Sequence, residues 1–419
     1  MKKQLILFSN LLFCLSLPLL SQVTVLKPDQ VFDGEQLHKG WIVLVEGERI
    51  KAAGNANELT IPSDATRVDL SGTTLMPGMI EGHSHILLHP YDETGWNDQV
   101  LVESITERVV RATVHAKNTL MAGFTTIRDL GSEGAEYADV GVKKSIDKGI
   151  IPGPRMIVAG KAIVATGSYG PKGFAPHVKV PLGAEVADGH DNLIKVVRDQ
   201  IGKGADVIKV YADYRWGPYG QAMATFTQEE LELMVKIANS SGRPVVAHAA
   251  TEEGMRRATL AGVQTIEHGD GGTKEVFELM AAKGVALCPT IAAGDAISQY
   301  RGWKKETEPE PARIQNKRKS MEMALAAGVP IVAGGDVGVF THGENCIELE
   351  LMVEYGMTDL AVLKAVTSGN AKLLALRDVG VIKEEKLADL VAVEGNPMND
   401  IKVLRNVKFV MKNGQIYKQ

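Results

Sequence analysis

Cysteine and aromatic residues are scarce in this 419-residue chain, and basic residues show no surplus. With only three cysteines the chain cannot be a disulfide scaffold. The formal net charge is −5, so no broad basic surface is available for nucleic acid or an anionic membrane. Hydrophobic residues make up 45% of the sequence and glycines number 43, which suits a large core with many turns. We therefore expect a small molecule or a peptide as the partner, and the oligomeric state stays open, a homo-oligomer included.

A short apolar segment near the start is typical of an export signal. Two lysines follow Met1, residues 5–20 are mostly apolar, and small or polar residues come next. We predict a signal peptide over residues 1–21, which gives an exported mature protein, periplasmic or secreted, with no membrane attachment. A membrane anchor is the alternative, but the segment is short for a span and contains Pro18.

Both ends of the remaining chain show the alternation of apolar and polar residues that is typical of β-strands. The pattern covers residues 23–74 and returns in residues 388–417, where Asn413-Gly414 is a strong tight-turn signal. We predict that residues 22–75 and 385–419 join into one small β-sandwich domain.

The central part, residues 76–384, alternates short apolar strands with amphipathic helices, which indicates a parallel sheet. The predicted strands cover residues 75–85, 125–131, 155–160, 207–212, 245–249, 265–269, 286–290 and 331–337. Eight such units match a (β/α)8 TIM barrel. A doubly wound open sheet is the alternative, and the polar residues at the strand ends argue against it.

The last residues of several predicted strands are metal-ligand types. They are His83, His85, Lys209, His248, His268 and Asp336. Side chains two apart on a strand share a face, so His83 and His85 can hold the same ion. In a parallel barrel the C-terminal strand ends meet at one mouth. Imidazoles with a carboxylate suit zinc or a similar first-row ion.

Each of these residues has an ordinary explanation when it is taken alone. A strand-end histidine is more often a core residue, Lys209 alone would be a snorkelling lysine, and Asp336 alone would cap a helix. The occurrence of all six in the right order at the right strand ends is what predicts a metal centre.

The same motifs resemble the amidohydrolase superfamily over nearly the whole mature chain. They are residues 75–85 (LMPGMIEGHSH), 123–129 (GFTTIRD), 204–209 (GADVIK), 247–249 (AHA), 266–269 (IEHG) and 388–391 (ADLV). Within the superfamily the chain resembles the branch that holds imidazolonepropionase-related proteins and metal-dependent Xaa-Pro dipeptidases and carboxypeptidases. That branch combines a (β/α)8 barrel with a β-sandwich made from both chain ends.

The resemblance implies two divalent metal ions, with zinc as the expected metal. By the pattern of the binuclear members, His83 and His85 of this chain would hold one ion, and His248 and His268 would hold the other. Lys209 would bridge the two ions as a carbamate. Burial makes Lys209 suitable, because a neutral amine can react with carbon dioxide. Asp336 would bind the first ion and act as the catalytic proton carrier while a bridging hydroxide attacks an amide bond.

Loop residues give weaker signals for substrate binding. Tyr211 and Arg215 lie in or after strand four, and Arg215 could pair with a substrate carboxylate. Tyr169 stands where many relatives have the histidine of a Gly-Gly-His motif, and His342 lies in the strand-eight loop. These four are the predicted substrate contacts.

Three polar residues near the ligands are predicted to be structural. Glu267 adjoins His268 on a strand and should therefore point away from the ligands. Arg128 and Asp129 end strand two, and the resemblance implies that they support the site rather than bind metal.

Hydrolysis of a peptide or another amide, of a dipeptide or a C-terminal residue, is the leading functional hypothesis. A deaminase or cyclic amide hydrolase with one metal ion, acting on a small heterocycle, is the alternative on the same scaffold. Lys209 argues against it, because mononuclear members of that kind typically lack the bridging lysine. A non-catalytic exported binding protein is the third hypothesis.

We expect protein purified from its native host to begin near Gln22, because the apolar segment ends there. N-terminal sequencing of the exported protein tests this. An intact Met1 on the native protein would contradict the prediction.

Overall fold

The structure, a computed structural model, describes residues 22–419. The predicted signal peptide lies outside these residues. In the described part of the chain no helix is long and apolar enough to cross a membrane.

Strands occur from the start of the described chain to its end. In chain order they are β1 (Val23–Phe32), β2 (Leu37–Lys39), β3 (Trp41–Glu46), β4 (Arg49–Asn55), β5 (Thr66–Pro77), β6 (Met79–Ser84), β7 (Phe124–Asp129), β8 (Arg155–Val158), β9 (Ile163–Val164), β10 (Glu185–Val186), β11 (Ile208–Tyr211), β12 (Asp213–Arg215), β13 (Ala222–Ala224), β14 (Val245–Ala249), β15 (Thr265–His268), β16 (Ala286–Cys288), β17 (Leu390–Glu394), β18 (Val407–Lys412) and β19 (Gln415–Lys418).

Helices fill the central part between these strands. They are α1 (Trp96–Leu101), α2 (Ile105–Met121), α3 (Ala138–Asp147), α4 (His190–Lys203), α5 (Gln228–Asn239), α6 (Glu252–Ala261), α7 (Lys274–Lys283), α8 (Ile291–Tyr300), α9 (Ala312–Ala326), α10 (Cys346–Glu354), α11 (Asp359–Lys364) and α12 (Asn370–Leu373). A π-helical turn, Ala365–Gly369, joins α11 to α12, and a 3₁₀ turn covers Ile401–Arg405.

Side-chain caps explain where several of these helices begin. Ser104 accepts a hydrogen bond from the backbone N–H of Glu107 at the start of α2. At the start of α5, Thr227 and Glu230 form a reciprocal capping box. Such caps satisfy N–H groups that have no partner within the helix.

One eight-stranded sheet contains strands from both chain ends. Its order is β19-β18-β17-β5-β1-β3-β4, with β2 paired to the end of β1. The contact between the ends is antiparallel: Leu390 of β17 pairs with Pro77 of β5, and Ala392 pairs with Leu75. The two ends of the described chain therefore join in one sheet.

The central strands are parallel neighbours in chain order. β6, β7 and β8 pair, as do β9, β11, β14, β15 and β16. The backbone N–H of Asp206 donates to the carbonyl of Val158 at 2.8 Å and connects the two groups. After β16, Val332 donates to Leu287 at 2.8 Å, and Gly82 of β6 donates to Ala333 at 2.9 Å. Hydrogen bonds thus lead from the last segment back to the first strand.

These observations confirm a mixed α/β fold and change two strand predictions. The first predicted strand divides at Gly78 into β5 and β6, where a Cβ would lie 2.1 Å from the Thr125 hydroxyl. The eighth forms only isolated bridges, Leu287 with Ile331 and Ser84 with Val337, because Asp336 has a φ of 64°. A left-handed residue interrupts the extended backbone that a continuous strand needs.

Gly414 provides a test of the contact between the chain ends. Its φ is +72°, and a Cβ there would lie only 1.9 Å from the carbonyl oxygen of Gly47 in the β3–β4 turn. We expect Gly414→Ala to lower the free energy of unfolding by about 1–3 kcal/mol beyond the backbone cost of about 1–2 kcal/mol. Gly284→Ala is the matched control, since Gly284 has φ +69° and open space around its Cβ position. Urea denaturation measures both, and equal losses would contradict the proposed clash.

Candidate metal centre

Five of the six predicted ligands lie near or just after the carboxyl ends of central strands, and the sixth, Lys209, lies within β11. His83 is in β6 and His85 follows it, Lys209 is in β11, His248 in β14, and His268 ends β15. Asp336 follows the eighth segment. The side-chain nitrogens and oxygens of His83, His268 and Asp336 lie within 4.8 Å of one another. The structure therefore brings these predicted residues together.

The two histidines of the first strand are held by their Nδ1 atoms. His83 Nδ1 donates to Glu267 Oε2 at 2.8 Å, and His85 Nδ1 donates to the Gly131 carbonyl at 2.9 Å. Their Nε2 atoms face Asp336, whose Oδ1 lies 3.6 Å from His83 and 3.2 Å from His85. A ring held at one nitrogen presents the other as a ligand of fixed direction.

The second histidine pair lies beside the first. The ring centroid of His268 is 5.3 Å from that of His83 and 4.5 Å from that of His248. His268 Nδ1 hydrogen-bonds the Thr290 hydroxyl at 2.8 Å, and Tyr211 stacks on His248 at 4.5 Å. Four imidazoles thus converge in one buried cluster.

Burial keeps three of these rings neutral. Desolvation, together with the charge of Lys209, lowers the pKa of His83 to about 4 and that of His248 to about 3. The pKa of His268 is also lowered, chiefly by burial. For His85, burial acts in the same direction, but the hydrogen bond to Asp336 prevails and raises the pKa to about 9. A neutral imidazole is the form that binds metal ions.

Lys209 is the one unpaired cation of the cluster. Its side chain is fully buried, and its amine makes neither a hydrogen bond nor an ion pair within residues 22–419. Burial lowers the pKa of Lys209, although Glu267 and Asp336 act in the opposite direction. An unpaired buried ammonium is costly, so the position favours the neutral amine.

The expectation that Glu267 points away from the ligands is wrong. Its carboxylate faces the interior, where it binds His83 and also accepts from Arg128 Nη2 at 3.0 Å. His268 has a φ of 76°, which breaks the alternation that the prediction assumed. Glu267 and His268 can therefore both face the cluster.

Arg128 and Asp129 support the surrounding backbone. Arg128 Nε donates to the Gly82 carbonyl at 2.6 Å, next to His83. Asp129 accepts from the backbone N–H of Ile86 at 2.7 Å, just after His85. Both contacts fix the end of β6 and agree with the supporting roles expected for these residues.

A cavity of about 1070 Å³ opens above the cluster. Tyr169, Tyr211 and Arg215 line it, together with five of the six predicted ligands: His83, His85, His248, His268 and Asp336. His342 does not. It is buried, donates to the Leu88 carbonyl at 3.0 Å, and stacks on His115 at 4.3 Å. The prediction that His342 touches substrate is corrected accordingly, because its loop turns the ring into the protein interior.

Sequence reasoning missed several residues around the cavity. Glu133 has a φ of 46°, and its carboxylate accepts from the Tyr169 hydroxyl at 2.7 Å and from Trp96 Nε1 at 3.0 Å. Asp270 pairs with Lys317, whose amine also donates to the His268 carbonyl at 2.7 Å. Glu133 and Asp270 lie in loops just after strand ends, and that position was the available signal.

Comparison with known proteins agrees with this geometry. Residues 74–417 match the Amidohydrolase family. The chain belongs to the amidohydrolase family. It is therefore a hydrolase that acts on carbon–nitrogen bonds, and the family is generally metal-dependent. A non-catalytic binding protein is no longer a useful hypothesis.

Similar proteins include an ochratoxinase, a Xaa-Pro dipeptidase and a prolidase. This amidohydrolase is 31% identical to the ochratoxinase of Aspergillus niger, over 92% of this chain and 84% of the relative. A crystal structure of a Xaa-Pro dipeptidase with bound methionine has a TM-score of 0.84 and 31% identity, over 95% of this chain and all of the other. A prolidase complexed with N-methylphosphonate-L-proline has a TM-score of 0.82 and 27% identity, with 95% and 100% covered.

We expect His83→Ala and His248→Ala each to lose most of the bound metal and activity together, because each removes one of the convergent imidazoles. Elemental analysis by mass spectrometry measures the metal, and circular dichroism checks the fold. His190→Ala is the matched control, since His190 is exposed on the surface. A folded His83→Ala variant with full metal content and activity would exclude the metal centre.

Proposed function

We propose that this amidohydrolase is an exported enzyme with two metal ions that cleaves the amide or peptide bond of a dipeptide or before a C-terminal residue. The observation that carries the proposal is that one cavity is lined both by the four histidines with Asp336 and by Arg215, with Lys209 buried in the same cluster of residues. The cluster suits hydrolysis, and the arginine suits a substrate carboxylate.

We further propose that the parallel strands form a closed (β/α)8 barrel over residues 76–384. The hydrogen bonds between the last segment and β6 support closure. Residues 22–75 and 385–419 would form the β-sandwich domain, supported by the sheet that both ends share. Export follows from the sequence of residues 1–21 alone.

The donor set fits two divalent ions, with zinc as the expected metal. His83 and His85 would hold one ion, His248 and His268 the other, and Asp336 would join the first. Lys209, as a carbamate, would supply an oxygen to each, since its amine is buried, unpaired and favoured in the neutral form. Bound ions of this kind activate water and polarise a carbonyl at neutral pH.

Asp336 is the residue best placed to move a proton. Burial raises its pKa, but its contacts with His83 and His85, including the hydrogen bond from His85, prevail and lower it, so the carboxylate is ionised at neutral pH. It also lines the cavity. We assign to Asp336 the acceptance of the proton from the attacking water and its delivery to the leaving amine.

The substrate would lie along an aromatic wall next to His248. The ring of Tyr169 is 4.7 Å from that of Tyr211 and 4.8 Å from that of Tyr214. The side chains of these tyrosines can enclose the apolar part of an amide substrate. Arg215, whose guanidinium lies 5.9 Å from the Tyr214 ring, would bind the free carboxylate. The names of the dipeptidase and prolidase neighbours support a substrate that ends in an amino acid.

A dipeptide-library screen on the zinc-loaded mature protein tests the substrate class, with release of the free amine as the readout. We expect cleavage of dipeptides and none of their C-terminal amides, because the amides lack the carboxylate that Arg215 would bind. Two ions per chain are expected. One ion per chain with deamination of a heterocycle would favour the alternative deaminase.

Replacement of Lys209 tests the proposed bridge. We expect Lys209→Ala to lose most activity and at least one ion, and small carboxylic acids to restore part of the activity by taking the bridging position. Lys209→Arg should not restore it, because arginine stays cationic and forms no carbamate.

Carbon-13 NMR of protein equilibrated with labelled carbon dioxide gives a readout independent of activity. A carbamate signal is expected in the native chain and should be absent from Lys209→Ala. Lys203→Ala, which removes an exposed lysine, is the control. A free amine at Lys209 in a fully active enzyme would rule out the bridge.

A further inference from the structure

Three arginines line one cavity with the histidine ligands. Arg215 ends β12, Arg301 follows α8, and Arg313 lies in the first turn of α9. The segments after two central strands, β11 for Arg215 and β16 for Arg301 and Arg313, therefore direct guanidinium groups to the same space. Nothing in the sequence pattern links these positions.

None of the three guanidinium groups has an anionic partner. Within the part of the chain that the structure describes, their side chains form no hydrogen bond and no ion pair. Burial lowers the pKa of Arg313, Asp270 acts to raise it, and Arg301 and Arg215 lower it further. The three charges are thus close enough to repel one another.

The acidic residues of the cavity are already engaged. Asp270 pairs with Lys317, whose amine is held by two backbone carbonyls at 2.7 Å. Asp336 belongs to the ligand cluster, and Glu133 accepts hydrogen bonds from Tyr169 and Trp96. Asp270 also acts on Arg313, but none of these carboxylates forms an ion pair with an arginine of the cavity in the described residues. Three guanidinium groups without an ion-pair partner therefore lie in the cavity that would hold the substrate.

A single α-carboxylate balances only one of the three charges. We propose that Arg301 and Arg313 form a second anion subsite beside Arg215, which selects leaving residues with an acidic side chain. The preferred substrates are then dipeptides or N-acyl amino acids that end in glutamate or aspartate. The proposal rests on the function proposed above, and it adds the identity of the leaving residue.

Two nearly isosteric dipeptides, L-alanyl-L-glutamate and L-alanyl-L-glutamine, test the subsite. They share the scissile bond and the α-carboxylate and differ in the charge of the side chain. We expect kcat/KM to be about 10-fold or more higher for the glutamate dipeptide, as for a charge-assisted hydrogen bond. Equal values, or a preference for the glutamine dipeptide, would overturn the proposal.

Variants separate the two anion contacts. Arg313→Met should remove the preference by lowering kcat/KM for the glutamate dipeptide alone, while Arg313→Lys should retain part of it. Arg301→Gln should also lower kcat/KM for the glutamate dipeptide and so reduce the preference. Arg215→Gln is the contrast, because loss of the α-carboxylate contact should lower kcat/KM for both dipeptides by a similar factor. If Arg313→Met lowers kcat/KM equally for both dipeptides, Arg313 binds the α-carboxylate and not the side chain of the leaving residue.

Binding of the products gives a readout without turnover. Calorimetry should show that the native chain binds L-glutamate more tightly than L-glutamine, and that Arg313→Met binds them equally. Equal binding by the native chain would count against the subsite. If no dipeptide of any kind is cleaved by the metal-loaded enzyme, the proposed function fails. If the glutamine dipeptide is cleaved and the glutamate dipeptide is not preferred, the proposed subsite is wrong and the proposed function stands.

Discussion

The buried ion pair between Glu267 and Arg128 is the interaction on which the ligand cluster depends. It connects β15 with β7, and through His83 it also reaches β6. Neither partner has access to water, so removal of one would leave an uncompensated charge at a cost of about 3–5 kcal/mol. The same carboxylate fixes the tautomer of His83 and leaves Nε2 free to face the cavity. One interaction therefore serves the stability of the core and the geometry of the site.

Near this ion pair, several residues at the strand ends have unfavourable backbone conformations. His268, Thr290 and Asp336 all have left-handed φ values, of 76°, 48° and 64°. Such conformations persist only where the surroundings hold them, and they are common at functional sites. Lys317 provides part of that support through the carbonyls of His268 and Pro289. In a regular strand every second side chain would point away from the cavity. At these strand ends, the left-handed residues let neighbouring side chains both point towards it.

Desolvation gives the site its chemical character. The same burial that keeps His83 and His248 neutral also disfavours the charged form of Lys209. Neutral nitrogens suit metal ions, and a neutral amine suits reaction with carbon dioxide. The arginines at the cavity wall stay charged, because a guanidinium keeps its proton under conditions in which a buried lysine loses it. The cavity thus combines the neutral rings of His83 and His248 with a cationic wall of arginines.

The sequence alone predicted the mixed α/β fold, the pairing of the chain ends and the histidines and aspartate that the structure brings together. These follow from local periodicity: a strand places His83 and His85 on one face, and parallel strands bring their carboxyl ends together. Only the tertiary structure decided the direction of Glu267, because the left-handed φ of His268 is set by contacts from other elements. It also decided that His342 turns inward and that Arg313 lies near Arg215. Loops far apart in the chain meet through packing, and packing is not encoded in the period of any single segment.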